Sequence, residues 1–417
     1  MADYIEVNAD LHFHGKFAGA VSERMIPDII AEQAPLKGLQ LVCTGDILHA
    51  GWQKLVKEQL SSAGNGILEH KNGTKFLLQT EVEDNNRVHH LILFPEWSKV
   101  EEVREKLKGK CKDLDSDGRQ KLWLSGEEIA QIAVDSGCEI GFSHAFTPFF
   151  GIFAHYKSYK DCYKSLADKI HFCELGLSAD TNMADRISEL HNLTFTSNSD
   201  SHSPWPNKLG REFNRLQIKE VSFEEVSKAL RREQGRKCIL NVKFNPAEGK
   251  YNQTRCMGCL LFFKVKDAEK FGWRCPECKR PIKKGVDQRI GELADLPEGK
   301  HPDHRPKCLH IIPLTEIIAI ANGIKNAWSQ KVQEIWKIYV DRFGNEIKAL
   351  IDTPIEELSK IDPKTAELVK AFREGRFRYI PGGAGVYGIP VPPGKPLEVK
   401  YFESKQVSLK EFSAQSR

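Results

Sequence analysis

The stretch "NADLHFHGK" (residues 8–16) sets Asp10, His12 and His14 on alternate positions directly after the apolar run "YIEV". In extended chain, positions i, i+2 and i+4 share a face, so the three side chains are expected to point the same way. A wet strand face could carry such residues without any chemistry, and one HxH alone does not separate the two readings. The pattern recurs, however. "LQLVC" (39–43) runs into "TGDILH" with Asp46 and His49, "KFLLQT" into Glu81, and "EIGFS" into His144. "IHFCEL" holds Glu174, and "LTFTSNS" runs into "DSH" with Asp200 and His202. Between these runs, "RMIPDIIAEQA", "SGEEIAQIAVDSG" and "NMADRISELHN" carry apolar residues at three- and four-residue spacings, which predict helices.

Strands alternating with helices imply a parallel sheet. This many repeats in the first part of the chain predict an α/β fold, a (β/α) barrel or a distorted relative. Barrel enzymes gather their catalytic residues at the C-terminal ends of the strands, which is where these histidines and carboxylates fall. Imidazole with carboxylate suits Zn, Mn or Fe better than Mg or Ca. So many donors exceed one tetrahedral shell, so two or three ions are expected. Closely spaced ions suit phosphoester hydrolysis, where they activate a water and neutralise the phosphate and leaving oxygen.

The chain has 417 residues, too many for one simple core, so two or three domains are expected. Charged residues make up 28% but nearly balance at +4, which excludes a uniformly basic nucleic-acid coat and argues against disorder. No apolar run approaches the ~18 residues of a membrane span. "MADYIEV" lacks the charged and apolar regions of a signal peptide, so a cytoplasmic place with no membrane association is expected. In such a compartment, eleven cysteines read as thiols or metal ligands rather than disulfides.

"ADLHFH", "TGDILH", "LQTEVED", "GFSHAF" and "SNSDSH" resemble, in order, the motifs of the PHP (polymerase and histidinol phosphatase) family over about residues 4–220. The resemblance implies a distorted barrel with a trinuclear metal centre. It implies His12, His14, His49, Glu81, His90, His144, Asp200 and His202 as metal ligands, with Glu81 bridging and His89 competing with His90. Asp200, Glu81 and His144 are also expected to act in catalysis. The family often has an Asp or His shortly after the HxH, where Gly19 and Ala20 stand here, and Asp46 is the candidate to compensate. The expected complement is two or three divalent ions (Zn, Mn or Mg) in the barrel and one structural zinc elsewhere.

That zinc belongs to Cys256, Cys259, Cys275 and Cys278, two CxxC pairs separated by residues 260–274. Two such pairs make a closed tetrahedral site that folds a small ribbon. Around it lie many Lys and Arg, Arg274 among them, with Phe271 and Trp273 interleaved. Such a surface either contacts nucleic acid or holds neighbouring domains together. Further on, Trp328, Val332, Ile335, Trp336, Tyr339 and Phe343 predict an amphipathic helix, and 353–380 predicts two more with a break at Pro363. "PGGAGVYG" (381–388) follows, with Gly382, Gly383 and Gly385 beside Arg376. It is read either as a turn or as backbone that approaches nucleic acid closely. Gln406, Leu409 and Phe412 match the Q-x-x-L-x-x-F pattern of sliding-clamp-binding tails.

This order of parts resembles, essentially end to end, the endonuclease Q family of prokaryotic DNA-repair nucleases. The resemblance implies damaged DNA as partner and a nick 5′ to uracil, hypoxanthine, xanthine or an abasic site. It also makes the aromatic loop after His144, with Phe149 and Phe150, a candidate to receive a base outside the stack. A PHP phosphatase of small phosphomonoesters and a catalytically inactive DNA-binding scaffold are the alternatives. The expected domains are 1–235 (metallo-phosphoesterase barrel), 236–290 (zinc-binding), 291–400 (helical, DNA-binding) and 401–417 (tail).

Overall fold

The computed structural model describes residues 3–402. The apolar runs are strands. Leu41–Cys43, Gln79–Glu83, His89–Leu93, Glu139–Phe142, Phe172–Glu174 and Thr194–Thr196 are buried along their whole length, as strands covered on both faces are. They assort into two sheets. The first runs Lys307–His310, Lys237–Lys243, Phe213–Ile218, Ile5–Asp10, Leu41–Cys43, Lys75–Leu77, Ile67–Glu69, Ser61–Gly64. The second runs Thr194–Thr196, Phe172–Glu174, Glu139–Phe142, His89–Leu93, Gln79–Glu83, Gln120–Lys121.

The sheets meet at two seams. On one side the chain passes straight from Lys75–Leu77 into Gln79–Glu83. On the other, the side-chain amides of Asn214 and Asn241 donate to the carbonyls of Ser197 and Phe195, both at 3.0 Å. A barrel closed partly by side chains is the distorted α/β barrel expected. Not every neighbour is parallel, however. Ile5–Asp10 with Leu41–Cys43, and Glu139–Phe142 with Phe172–Glu174 and Thr194–Thr196, are parallel. Gln79–Glu83, His89–Leu93 and Glu139–Phe142 pair antiparallel in turn. Residues 84–88 are too few to carry a helical crossover, so a hairpin forms there. Phe13, Phe76, Phe142, Phe153 and Phe195 are fully buried in the barrel core. Each is worth roughly 1.5–3 kcal/mol of burial.

Beyond residue 235 the first sheet continues. Lys237–Lys243 pairs antiparallel with Phe213–Ile218, and Lys307–His310 pairs parallel with Lys237–Lys243. The cysteine-rich segment is therefore an excursion between two strands of the barrel sheet, not a unit that begins where the barrel ends. From Ile312 onward the helices Leu314–Ala321, Gln330–Phe343, Ile355–Ser359 and Pro363–Arg373 pack around Ile317, Trp336, Tyr339, Leu350 and Val369. Trp328 lies ahead of its expected helix and is exposed. A fully buried ion pair joins this unit to the barrel. Lys37 Nζ donates to Glu346 Oε1 at 2.8 Å and to the Pro206 carbonyl at 2.9 Å, and Trp336 Nε1 donates to Glu346 Oε2 at 2.7 Å.

The last described residues return to the cysteine-rich ribbon. Phe262 N donates to the Lys400 carbonyl at 3.1 Å and Phe402 N to the Phe262 carbonyl at 2.8 Å, adding an edge to it. The Phe402 ring sits 5.0 Å from Phe263 and 5.3 Å from Phe271. Gln406, Leu409 and Phe412 lie outside the described residues. Among those described, no helix is long and apolar enough to cross a membrane.

Candidate metal centre

Glu81, in the middle of Gln79–Glu83, is the hub of a buried cluster. Its Oε1 lies 3.4 Å from His12 Nε2 and 3.1 Å from His144 Nε2. Its Oε2 lies 3.4 Å from His14 Nε2 and 3.2 Å from His89 Nδ1. His14 Nε2 is also 3.4 Å from Asp200 Oδ1, and His14, Asp200 and His202 form an adjoining group. Three overlapping sets of donors result: His12, His14 and Glu81; Glu81, His89 and His144; His14, Asp200 and His202.

These residues fit divalent cations. His12 Nε2, His14 Nε2 and Glu81 Oε1 are buried with no hydrogen-bond partner, although buried polar atoms are nearly always paired. The opposite ring nitrogens are held as those of metal-binding histidines are. His12 Nδ1 lies 2.8 Å from Glu174 Oε2, and His14 Nδ1 lies 3.0 Å from Asp46 Oδ1. Glu174 is fixed in turn by Asn198 Nδ2 (2.9 Å) and by the His144 amide (3.2 Å). The Gly15 amide donates to Asp46 Oδ2 at 2.6 Å. Asp46, His144 and Asp200 adopt φ of 38°, 27° and 45°, left-handed values that cost a non-glycine residue and collect at functional sites.

The charges are tightly coupled. Burial pulls His12 down, but Glu174 and Glu81 beside it outweigh that and raise it to about 9. Burial likewise opposes the charge on His14, which Asp46 raises well above its ordinary value. Glu81, which burial alone would raise, is held well below the carboxylate range by His89 and His12. Asp200 is lowered in the same way, against burial, by His14 and His12.

Asp10, the first of the alternating residues at 10, 12 and 14, lies elsewhere, and so do two expected ligands, His49 and His90. Asp10 turns away, because the strand ends at Asp10 and strict alternation ends with it. Its carboxylate accepts from the Ser199 and Gly210 amides at 3.0 Å each, tying the strand to the loop before Asp200, and burial pushes it up to about 6. His49 caps the helix Ala50–Gln59, its Nδ1 accepting from Trp52 N at 3.2 Å while its ring stacks on Phe17 at 4.5 Å. A polar residue directly before a helix is often its cap. His90 faces the opposite side of its strand from His89, with Nδ1 2.7 Å from the Tyr163 hydroxyl and Nε2 3.3 Å from Asp84 Oδ2. Neighbours on a strand alternate faces, so only one of the two can reach Glu81.

A cavity of about 570 Å³ opens onto this cluster. His89, His144, Asp200 and His202 lie at its base, and its walls include Phe150, Arg119, Lys208, Arg211, Lys250 and Tyr387. Phe150 stacks on His89 at 4.7 Å, and Arg119 Nη1 is 3.2 Å from Glu81 Oε2. Arg119, Lys208, Arg211 and Lys250 belong to no motif, and nothing in the sequence marks them. Tyr387 comes from the glycine-rich segment, in which Gly382 and Gly383 approach protein backbone. A Cβ on Gly382 would stand 2.2 Å from the Gly249 carbonyl, and one on Gly383 2.6 Å from the Gln253 carbonyl. These glycines let the segment press on residues 249–253, which sets Tyr387 beside Arg211 (Nη1 to hydroxyl, 3.3 Å). Only Gly385 has open space at its Cβ.

Phe149 is 43% exposed, with Lys283 Nζ 3.5 Å from its ring centre, and lines a separate groove of about 370 Å³ with Phe153 and Arg289. Arg274 is exposed, and Arg376 pairs with Glu374 at 2.6 Å. Neither lines the cavity. The four sulfurs of Cys256, Cys259, Cys275 and Cys278 lie within 4.8 Å of one another, Cys256 to Cys278 at 3.3 Å and Cys259 to Cys275 at 3.6 Å. Thiolates about 2.3 Å from one zinc stand at such separations.

The family model described as the MJ0043 C-terminal domain matches residues 313–376, the helical unit. MJ0043 of Methanocaldococcus jannaschii is 44% identical over 252 residues, 59% of this chain and 31% of that longer protein. The lesion-specific endonuclease PfuEndoQ from Pyrococcus furiosus superposes with a TM-score of 0.89 at 42% identity, over 98% of this chain and 99% of that one. A crystal structure of endonuclease Q with a 27-mer duplex carrying an abasic lesion at the active site gives 0.90 at 44% identity, over 95% and 99%. At this identity over nearly the whole of both chains, the chain belongs to the endonuclease Q family.

Proposed function

We propose that the protein hydrolyses the phosphodiester bond on the 5′ side of a deaminated base (uracil, hypoxanthine or xanthine) or an abasic site in DNA. This is the finer form of the lesion-specific endonuclease activity of its family. The observation that carries it is the cavity, which joins a cluster of metal-binding side chains to a wall of four cations and an aromatic ring. Its volume is in the range of about 300–1,000 Å³ that encloses a small molecule, enough for one nucleotide taken out of the stack.

His12, His14, Glu81, His89, His144, Asp200 and His202 are the residues we assign to two or three divalent ions, with Zn, Mn and Mg as candidates. Such ions supply Lewis-acid charge to the phosphate and lower the pKa of water. Asp200, with a side chain 30% exposed, is the group we assign to orient the attacking water. Arg119, Lys208, Arg211 and Lys250 neutralise phosphate oxygens, and Phe150 stacks on the extruded nucleotide. Phe149, Arg274 and Arg376 reach DNA outside the cavity, with the glycine-rich segment contributing through Tyr387. Cys256, Cys259, Cys275 and Cys278 hold one structural zinc. From sequence alone, Gln406, Leu409 and Phe412 are a docking segment for the sliding clamp. A DNA substrate of this kind places the protein in the cytoplasm.

The test is a denaturing gel of uracil, hypoxanthine, abasic and undamaged duplexes incubated with Mn²⁺ or Mg²⁺. A lesion-dependent product ending 5′ of the marked position is expected. Equal treatment of damaged and undamaged duplexes ends the reading, and phosphate release from small esters would favour a phosphatase.

A further inference from the structure

On the far side of the strand His89–Leu93, away from the centre, three more donors converge. Asp84 Oδ2, His90 Nε2 and Cys162 Sγ lie within 4.8 Å of one another, and all three residues are buried. Asp84 Oδ2 and His90 Nε2 have no hydrogen-bond partner, though they stand 3.3 Å apart. The main centre shows the same signature: His12 Nε2 and Glu81 Oε1, both buried and unpartnered, face one another at 3.4 Å.

Each donor is aimed from behind. Asp84 Oδ1 accepts from the Asn86 and Val88 amides at 2.8 Å each, which leaves Oδ2 directed at His90. The Tyr163 hydroxyl, 2.7 Å from His90 Nδ1, fixes the imidazole with Nε2 forward, as outer partners of metal-binding histidines do. Cys162 is held on the short helix Tyr159–Tyr163. The space they face is made by Gly126, at the start of the helix Gly126–Asp135. A Cβ there would meet Cys162 Sγ at 2.4 Å, His90 Cε1 at 3.0 Å and Asp84 Oδ2 at 3.5 Å. The missing side chain is a cradle bordered by all three residues.

We infer that Asp84, His90 and Cys162 bind a further divalent cation of the zinc class, separate from both the catalytic cluster and the four-cysteine ribbon. A carboxylate, an imidazole and a sulfur are a mixed set that zinc accepts and that Mg and Ca do not. Cys162 binds as thiolate and releases its proton to solvent. One carboxylate and one thiolate then balance a doubly charged ion, so the buried site carries no net charge. A water completes four-coordination. Bound there, the ion ties the hairpin 79–93 to the helices that follow the aromatic loop, and so stiffens the back of the strand that carries His89.

The experiment is anomalous diffraction across the zinc edge on holoenzyme purified without chelator, with metal counted per chain by mass spectrometry. A peak within bonding distance of Asp84 Oδ2, His90 Nε2 and Cys162 Sγ is expected beside those of the ribbon and the centre. Cys162→Ser should lose one metal equivalent and keep the ribbon peak. Gly126→Ala, which keeps every ligand and fills the cradle, should lose the same equivalent. The absence of a peak at these three residues in the wild-type crystal overturns the inference, whatever the variants do. So does an unchanged metal count in both variants.

Discussion

The barrel centre and the four-cysteine ribbon are both built to hold metal, yet they are built in opposite ways. The centre draws its donors from positions 12 to 202, carried by strands that a large apolar core already holds in place. The ribbon draws its four from positions 256 to 278, around a core of little more than Phe263, Ala268 and Ile282. In the first the fold would position the metal, and in the second the metal would supply the fold. Stripping metal should therefore silence the barrel and unfold the ribbon.

Asp200→Ala should make the largest difference in activity. Nicking of a uracil duplex should fall to background while the circular dichroism spectrum and DNA binding stay near wild type. An unfolded barrel in this variant would break the contrast at its first limb. Cys275→Ser tests the second. It should remove one zinc per chain and expose residues 254–284 to protease while the barrel keeps its metal. A ribbon that stays protected would show that its small core suffices.

A subtler substitution asks how far the barrel pre-forms its site. Glu174→Gln weakens the hold on His12 Nδ1 without touching a donor atom, and should loosen metal binding by about 10–100-fold, read by calorimetry. The same titration at two pH values has a fixed sign. In the metal-free chain His12 titrates at about 9, so a metal displaces its proton at neutral pH. Affinity should rise with pH towards 9, by about tenfold per unit for each proton displaced. A flat profile would mean that the donors are already deprotonated when the metal arrives.

What could be read in advance follows the same division. The four cysteines of the ribbon were legible, because a closed local site needs only spacing, but the edge that residues 400–402 add to it was not. HxH and DSH were legible because each places two donors within three residues. The choice between His89 and His90 was not, since a one-residue slip in strand register exchanges the two faces and no local signal sets it. His49 was ambiguous by nature, as a polar residue before a helix can cap it or bind metal. The expectation of parallel neighbours overlooked that 84–88 is hairpin-length. Arg119, Lys208, Arg211 and Lys250 reach the cavity from segments with no shared pattern, and only the fold brings them together. Glycines 382 and 383 were visible, but the backbone they press against lies more than a hundred residues earlier in sequence.

The smallest expected effect concerns the chain end. Deleting 404–417 should leave nicking of a short lesion duplex unchanged and remove binding to the host's sliding clamp, measured by titration of both forms. Equal binding would reduce the segment to a polar terminus.

Phe402, seated between Phe263 and Phe271, changes what that terminus can do. It acts as a mooring point. Residue 406 stands four positions beyond it in sequence, so it can lie no more than about 14 Å away. Were the ribbon to lose its metal and release Phe402, the nearest strand upstream would be Ile389–Val391, and that upper bound would rise to about 50 Å. Anything gripping 406–412 would then sweep a far larger volume, and its local concentration at the nicking site would drop accordingly. A metal held by the four cysteines, some distance from the chemistry, would then set how closely the enzyme is hitched to any partner that grips its terminus.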